Sequence, residues 1–254
     1  MEGTKDIDDH KMTENENMII QEIKGDLKKY SDPERARRRA LWEKRYQEQP
    51  KLYGITIPVV RMLSSKFFKK IRKRPKQEIL QLCNALLESD YSEERTIAFD
   101  WAFRLRKKYA KPDFQLLEMW LKKHVHSWGA CDDLCTHALG AFIFQYPEFI
   151  QETIKWTRSA NRWVRRASVV VLIYSARRRR SLEAIFKTAD ILLNDPDIMV
   201  QKGYGWMLKE ASNNYPKEVF DYVQKNKKEM PRTALRYAIE KLSPQLRKEA
   251  MTRW

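Results

Sequence analysis

Asn161-Arg162-Trp163-Val164-Arg165-Arg166-Ala167-Ser168 runs directly into Val169-Val170-Val171-Leu172-Ile173, and this stretch decides the fold. Asn is a favoured N-cap, the first turn is basic, and a small residue leads into an apolar run. A related stretch returns downstream as Asp195-Pro196-Asp197-Ile198-Met199-Val200-Gln201-Lys202-Gly203-Tyr204-Gly205-Trp206, with Ala167 and Gly203 separated by 36 positions. Such a period marks a helical repeat in which one face packs on its neighbour and one edge stays open.

Outward from this pair, the same grammar covers the chain. Paired helices are expected at 76–88 with 92–109, 112–124 with 130–145, 147–157 with 161–175, 181–193 with 197–213, and 216–226 with 231–242; residues 244–254 close the array. Pro or Asp marks many of the starts. Before them, Met18, Ile19, Ile20, Ile23 and Leu27 form one apolar helical face, and Ser31-Asp32-Pro33-Glu34 signals a new helix start. Tyr53-Gly54-Ile55-Thr56-Ile57-Pro58 reads as a loop into the next helix. With only 7 Gly in 254 residues and no long polar–apolar alternation, a β protein is excluded. The predicted fold is all-α, an α-solenoid of HEAT-like repeats, curved with a basic concave groove. It comprises an acidic disordered tail over 1–14 and a single repeat domain over 15–254.

The charge is +16 overall, yet residues 1–33 carry nine acids against five bases, which leaves +20 on the rest. A folded region this basic suits a polyanion. Three cysteines (Cys83, Cys131 and Cys135) without a CxxC pair point to a reducing compartment, cytoplasmic or nuclear. No signal peptide or membrane span is read in the chain. His124, His126, Cys131, Cys135 and His137 do not have the spacing of a structural zinc site, and they are read as packing residues. No metal and no cofactor are expected. Arg177-Arg178-Arg179-Arg180 reads as a basic inter-helix loop.

In a solenoid the second helices of successive pairs share one wall, so Arg95, Asp132/Asp133, Arg165/Arg166, Gln201/Lys202 and Arg232 should form a row at their first turns. Helix N-termini there suit phosphates. Asp133 is the conspicuous acid among bases, and each of Asp132 and Asp133 reads either as a helix cap or as a group that stabilises a cation. Trp128, Trp163 and Trp206 lie near the helix starts, either filling the core or facing the groove. The glycines at 203 and 205 leave room for something to approach Trp206 closely.

These residues together resemble a known family. Tyr53-Gly54-Ile55, Ser127-Trp128 followed by Asp133, Trp163-Val164-Arg165-Arg166-Ala167, and Gln201-Lys202-Gly203-Tyr204-Gly205-Trp206-Met207-Leu208-Lys209-Glu210 look like the DNA alkylation-repair glycosylases of AlkD type, over roughly residues 35–245. The resemblance implies excision of cationic N3- or N7-alkylated purines from double-stranded DNA, by a monomer. It places the essential carboxylate at Asp133 and nucleoside-facing aromatics at Trp128, Trp206 and Tyr46. Phosphate contacts fall to Arg166, with Arg165, Lys202 and Arg95 beside it. The chain departs from the pattern at Gly129, where a second consecutive Trp is expected. A non-catalytic DNA-binding or damage-recognising scaffold is the alternative that this departure invites.

Overall fold

The computed structural model describes residues 12–46 and 49–252. Among the described residues there is no strand, and an isolated backbone bridge joins Lys51 to Tyr91. The chain is therefore all-α, as its patterning predicts. It forms two compact units, Met1–Asp133 and Leu134–Trp254.

In the first unit, α1 (Glu14–Lys29) starts at a complete capping box, where Thr13 and Glu16 each bond the other's backbone N–H. The expected tail lies, for residues 1–11, outside the described residues. Helix α2 (Pro33–Glu43) is capped by Asp32 and continues as a 3₁₀ turn, Lys44–Tyr46. Then come α3 (Ile57–Ile71), α4 (Lys76–Leu87), α5 (Ser92–Arg104) and α6 (Asp113–His124). Helix α5 packs on both α3 and α4, and α1 closes against the same two. Ile23, Leu27, Leu63, Phe67, Ile71, Ile79, Leu82 and Trp101 are the buried centre of this unit. Helix α7 (Trp128–Thr136) contains the boundary after Asp133.

The Tyr53-Gly54-Ile55 loop is built by one buried carboxylate. Glu93 accepts from the N–H groups of Tyr53 at 3.1 Å, Gly54 at 2.9 Å and Ile55 at 3.2 Å. Gly54 has φ +81°, and a Cβ there would stand 2.0 Å from the Asp32 carbonyl oxygen. Glycine is obligatory on both counts.

The second unit holds α8 (Ala138–Gln145), α9 (Ile150–Lys155), α10 (Arg162–Val170), α11 (Ile173–Ala176), α12 (Leu182–Ile191), α13 (Ile198–Ser212), α14 (Pro216–Asn226), α15 (Arg232–Ala238) and α16 (Pro244–Met251). Asn161 and Asp197 cap α10 and α13 as the repeat predicts, each accepting from a backbone N–H two residues on. Helix α13 packs against α10 on one side and α15 on the other, so second helices do stack in succession here. The helix predicted over 130–145 is instead two helices, broken at His137 (φ −119°, ψ −95°). The one predicted over 161–175 is likewise split into α10 and α11. No described helix is long and apolar enough to cross a membrane.

Candidate nucleic-acid interface

In the first unit the chemistry centres on α7. Its first turn is capped by Ser127, whose Oγ accepts from the Ala130 N–H at 3.2 Å. The helix starts at Trp128, two residues before the start expected from sequence. Asp132 and Asp133 are therefore the fifth and sixth residues of α7, too deep for the capping role that the sequence left open. Asp133 faces α3 instead. Its Oδ1 accepts from Arg61 Nη2 at 2.6 Å, with the Asp133 side chain 15% exposed. Arg61 Nη1 lies 3.3 Å from Asp100, which accepts from Ser64 Oγ at 2.5 Å and from Arg104 Nε at 2.8 Å. The result is an alternating line, Asp133–Arg61–Asp100–Arg104, with a charge-assisted bond fixing Asp133 at its end.

Aromatic rings adjoin this line at the start of α7. Trp128, half-buried, meets Trp42 edge to face at 6.0 Å between ring centroids. Trp42 in turn meets Tyr46 at 5.2 Å. Of the three, sequence reading singled out Trp128 and Tyr46 and overlooked Trp42, which is 43% exposed. At Gly129, beside Trp128, a Cβ would meet no neighbouring atom of the described residues within 4 Å.

Arg95, expected at a phosphate, is 7% exposed. Its guanidinium donates to Ser92 Oγ at 3.0 Å and to the His124 carbonyl at 3.4 Å. Burial lowers its pKa below the ordinary arginine range. It lines a cavity of about 370 Å³ with Lys51, Asp90, His126 and Ser127.

In the second unit the basic pair of α10 is inward-turned. Arg165 Nε holds Asp195 at 2.7 Å, and its Nη1 donates to the carbonyls of Ser159 at 2.9 Å and Ala160 at 3.1 Å. Arg166 is 4% exposed and donates to the Met199 carbonyl. Both guanidinium groups thus brace α10 to the start of α13. Arg162 lies over the Trp163 ring at 4.4 Å and reaches Asp197 at 3.5 Å, while Trp163 is 6% exposed and belongs to the core.

Lys202 and Trp206 are half-buried on α13. The Trp206 Nε1–H donates to Glu210 Oε1 at 2.9 Å, and Arg177 Nε donates to the other carboxylate oxygen at 2.9 Å. Burial opposes ionisation of Glu210, but the hydrogen bonds from Arg177 and Trp206 outweigh it and hold its pKa below the usual glutamate value. The indole is thereby fixed at its polar edge. The glycines of this segment admit neighbouring protein. A Cβ on Gly203 would stand 3.2 Å from Arg166 Cγ, and one on Gly205 would stand 2.7 Å from Tyr237 Cβ and 2.8 Å from the Ala234 carbonyl oxygen. The expected close approach is therefore that of α10 and α15 to α13.

Arg61, Asp100 and Trp42, together with Glu210 and Arg177, are the additions that the structure makes. Arg61 had no sequence signal, since its partner is 72 residues away. Glu210 had one, an i, i+4 spacing from Trp206 on a single helix face. Among the described residues, no group of three His, Cys, Asp or Glu is placed to hold a metal ion. Cys83, Cys131 and Cys135 are buried free thiols.

The model of the family described as "DNA alkylation repair enzyme" matches residues 23–242. No curated protein matches the sequence. Among solved structures, a predicted DNA alkylation repair enzyme from Enterococcus faecalis is similar at 18% identity with a TM-score of 0.74, covering 84% of this chain and 97% of that one. AlkD2 from Streptococcus mutans is similar at 18% identity with a TM-score of 0.53, covering 72% of this chain and 90% of that one. At this identity the two structures speak to the shared helical fold.

Proposed function

This chain belongs to the DNA alkylation repair enzyme family, and from that premise we propose that it is a DNA glycosylase releasing cationic N3- or N7-alkylated purines from duplex DNA. The observation that carries the reading is Asp133. It is a carboxylate with no capping duty, partly open to solvent, and fixed at 2.6 Å by a guanidinium that is itself tethered to Asp100. A group so held is preorganised to meet developing positive charge.

The chemistry asks little else of the protein. An alkylated purine already carries a positive charge, so when the C1′–N bond breaks its electron pair neutralises the base, and no general acid is needed. The sugar is left as an oxocarbenium ion. Asp133 stabilises that cation and orients a water whose oxygen bonds to C1′ and whose proton leaves through the carboxylate to solvent. Trp128 and Tyr46 are the aromatic groups of the first unit assigned to the nucleoside, where indole faces favour a nearby cation; on the second unit Trp206 carries the substrate-binding assignment. The net charge of +16 supplies the long-range attraction to DNA. Lys202 is a direct phosphate contact in this reading. Arg165, Arg166 and Arg95 serve it from within, holding the helix starts that meet the backbone.

The test is single-turnover release of 7-methylguanine from a methylated duplex by wild type and by Asp133→Asn. The expected result is release by wild type, and loss of release in the variant with duplex affinity kept. Release by the variant at the wild-type rate would discard the assignment. Duplex binding by wild type without any release would favour the scaffold alternative, which the open space at Gly129 supports.

A further inference from the structure

We propose that Trp42 is a substrate-contacting residue, an indole on α2 that packs against the sugar or base of the damaged nucleotide and fills the space left open at Gly129; the proposal rests on the glycosylase reading. Four observations converge. Trp42 is 43% exposed, although it touches two other aromatic rings, at 5.2 Å and 6.0 Å. A ring that served the core alone would be covered; this one keeps much of its surface in solvent.

Its surroundings are cationic. Arg37, Lys44 and Arg45 are exposed on the same short segment and make no ion pair with a described residue. An exposed indole on a segment with exposed cations is a combination that suits nucleotides, with charge for the phosphate and a flat face for the base or sugar. Its partner ring Trp128 opens the helix that carries Asp133, so the aromatic pair belongs to the same local assembly as the carboxylate. Finally, the position after Trp128 has no side chain, and no atom of the described residues beyond its own helix and chain neighbours lies within 4 Å of where a Cβ would stand. Trp42 meets the ring of Trp128, the residue next to that gap.

The same geometry accounts for the basic face of α2. Its arginines alone could be a solvated surface, with Arg35 and Arg38 answered by Asp32 at 3.6 Å and Glu34 at 3.7 Å. Trp42 gives that surface a reason to meet one nucleotide in particular.

The test compares wild type, Trp42→Ala and Trp42→Phe on two duplexes, one unmodified and one carrying a single cationic pyrrolidine in place of an abasic sugar. Thermal melting of each variant reports folding. Loss of one aromatic stack should weaken binding of the pyrrolidine duplex by about tenfold in Trp42→Ala, and of the unmodified duplex by less than about twofold. Trp42→Phe, which keeps a ring face, should stay within about threefold of wild type on both. Equal affinity of Trp42→Ala and wild type for the pyrrolidine duplex would overturn the proposal, as would an equal loss on the two duplexes. If wild type does not prefer the pyrrolidine duplex and releases no 7-methylguanine, the glycosylase reading falls and takes this inference with it. If wild type does both and Trp42→Ala matches it, the inference alone falls.

Discussion

The Asp133 line and the Arg165–Arg166 pair contain similar chemistry put to different uses. In the first, Arg61, with a third of its side chain exposed, links the carboxylates of Asp100 and Asp133. In the second, Arg165 is 17% exposed at the side chain, Asp195 is 6% exposed, and two backbone carbonyls accept from Nη1. The first arrangement keeps its arginine within reach of solvent. The second has already used its charges to join two helices. Net charge and motif treat both as DNA-facing; the more open arginine of the first and the more buried carboxylate of the second separate them.

Substitutions can break that comparison. Asp133→Asn should give the largest effect on function, a fall of about 10²–10³ in base release. Its urea midpoint should shift little, because the amide can still accept from Arg61. A large loss of stability instead would make Asp133 a structural residue like Asp195. Arg165→Ala should do the reverse. Removing the guanidinium leaves the buried Asp195 carboxylate without it and costs about 2 kcal/mol, so equilibrium denaturation should record it. Under the sequence reading it should instead flatten the salt dependence of DNA binding with stability kept. Measuring both properties on one variant decides between them.

Smaller effects sharpen the picture. Glu210→Gln should cost about 1 kcal/mol at neutral pH through the weakened bonds to Arg177 and Trp206. The pH dependence follows from the lowered pKa. The ionised form is favoured in the folded state, so its contribution is present above the ordinary glutamate value of 4.5 and fades as pH falls through the folded value. Urea titrations at neutral and acidic pH should therefore converge for wild type and variant. His124 gives a second, weaker trend. Burial lowers its pKa against the pull of Glu88, so acidification below the ordinary value of 6.5 should destabilise the protein, and replacement by Gln should remove that part of the slope. Gly129→Ala should be nearly silent or stabilising by up to about 1 kcal/mol, since a helical position gains propensity and the new methyl meets open space.

Much of the fold was legible because its signals are local. Thr13, Asp32, Asn161, Asp197 and Ser243 each accept a hydrogen bond from the backbone N–H two or three residues on, so helix starts could be read from a few adjacent letters. The break at His137 was not legible, because the apolar period runs through it. The candidate site divided the same way. Asp133 and Trp128 stand in one short motif, but Arg61 answers Asp133 from 72 residues upstream. The burial of Arg166 and the pairing of Arg165 with Asp195 were hidden too, since a basic pair at a helix start has the same letters whether it faces solvent or a neighbouring helix. Tyr53-Gly54-Ile55 turned out to be architectural: its glycine is fixed by the Asp32 carbonyl and its amides by Glu93.

The missing side chain at Gly205 has a consequence for how this protein can change. Even one methyl there would run into the Ala234 carbonyl, so drift at that site is barred by a neighbour on another helix. The residue immediately after it is Trp206, whose ring is half-open to solvent and could be exchanged without disturbing that contact. An immovable rail beside a replaceable fitting lets selection retool the indole while α13 and α15 stay in register.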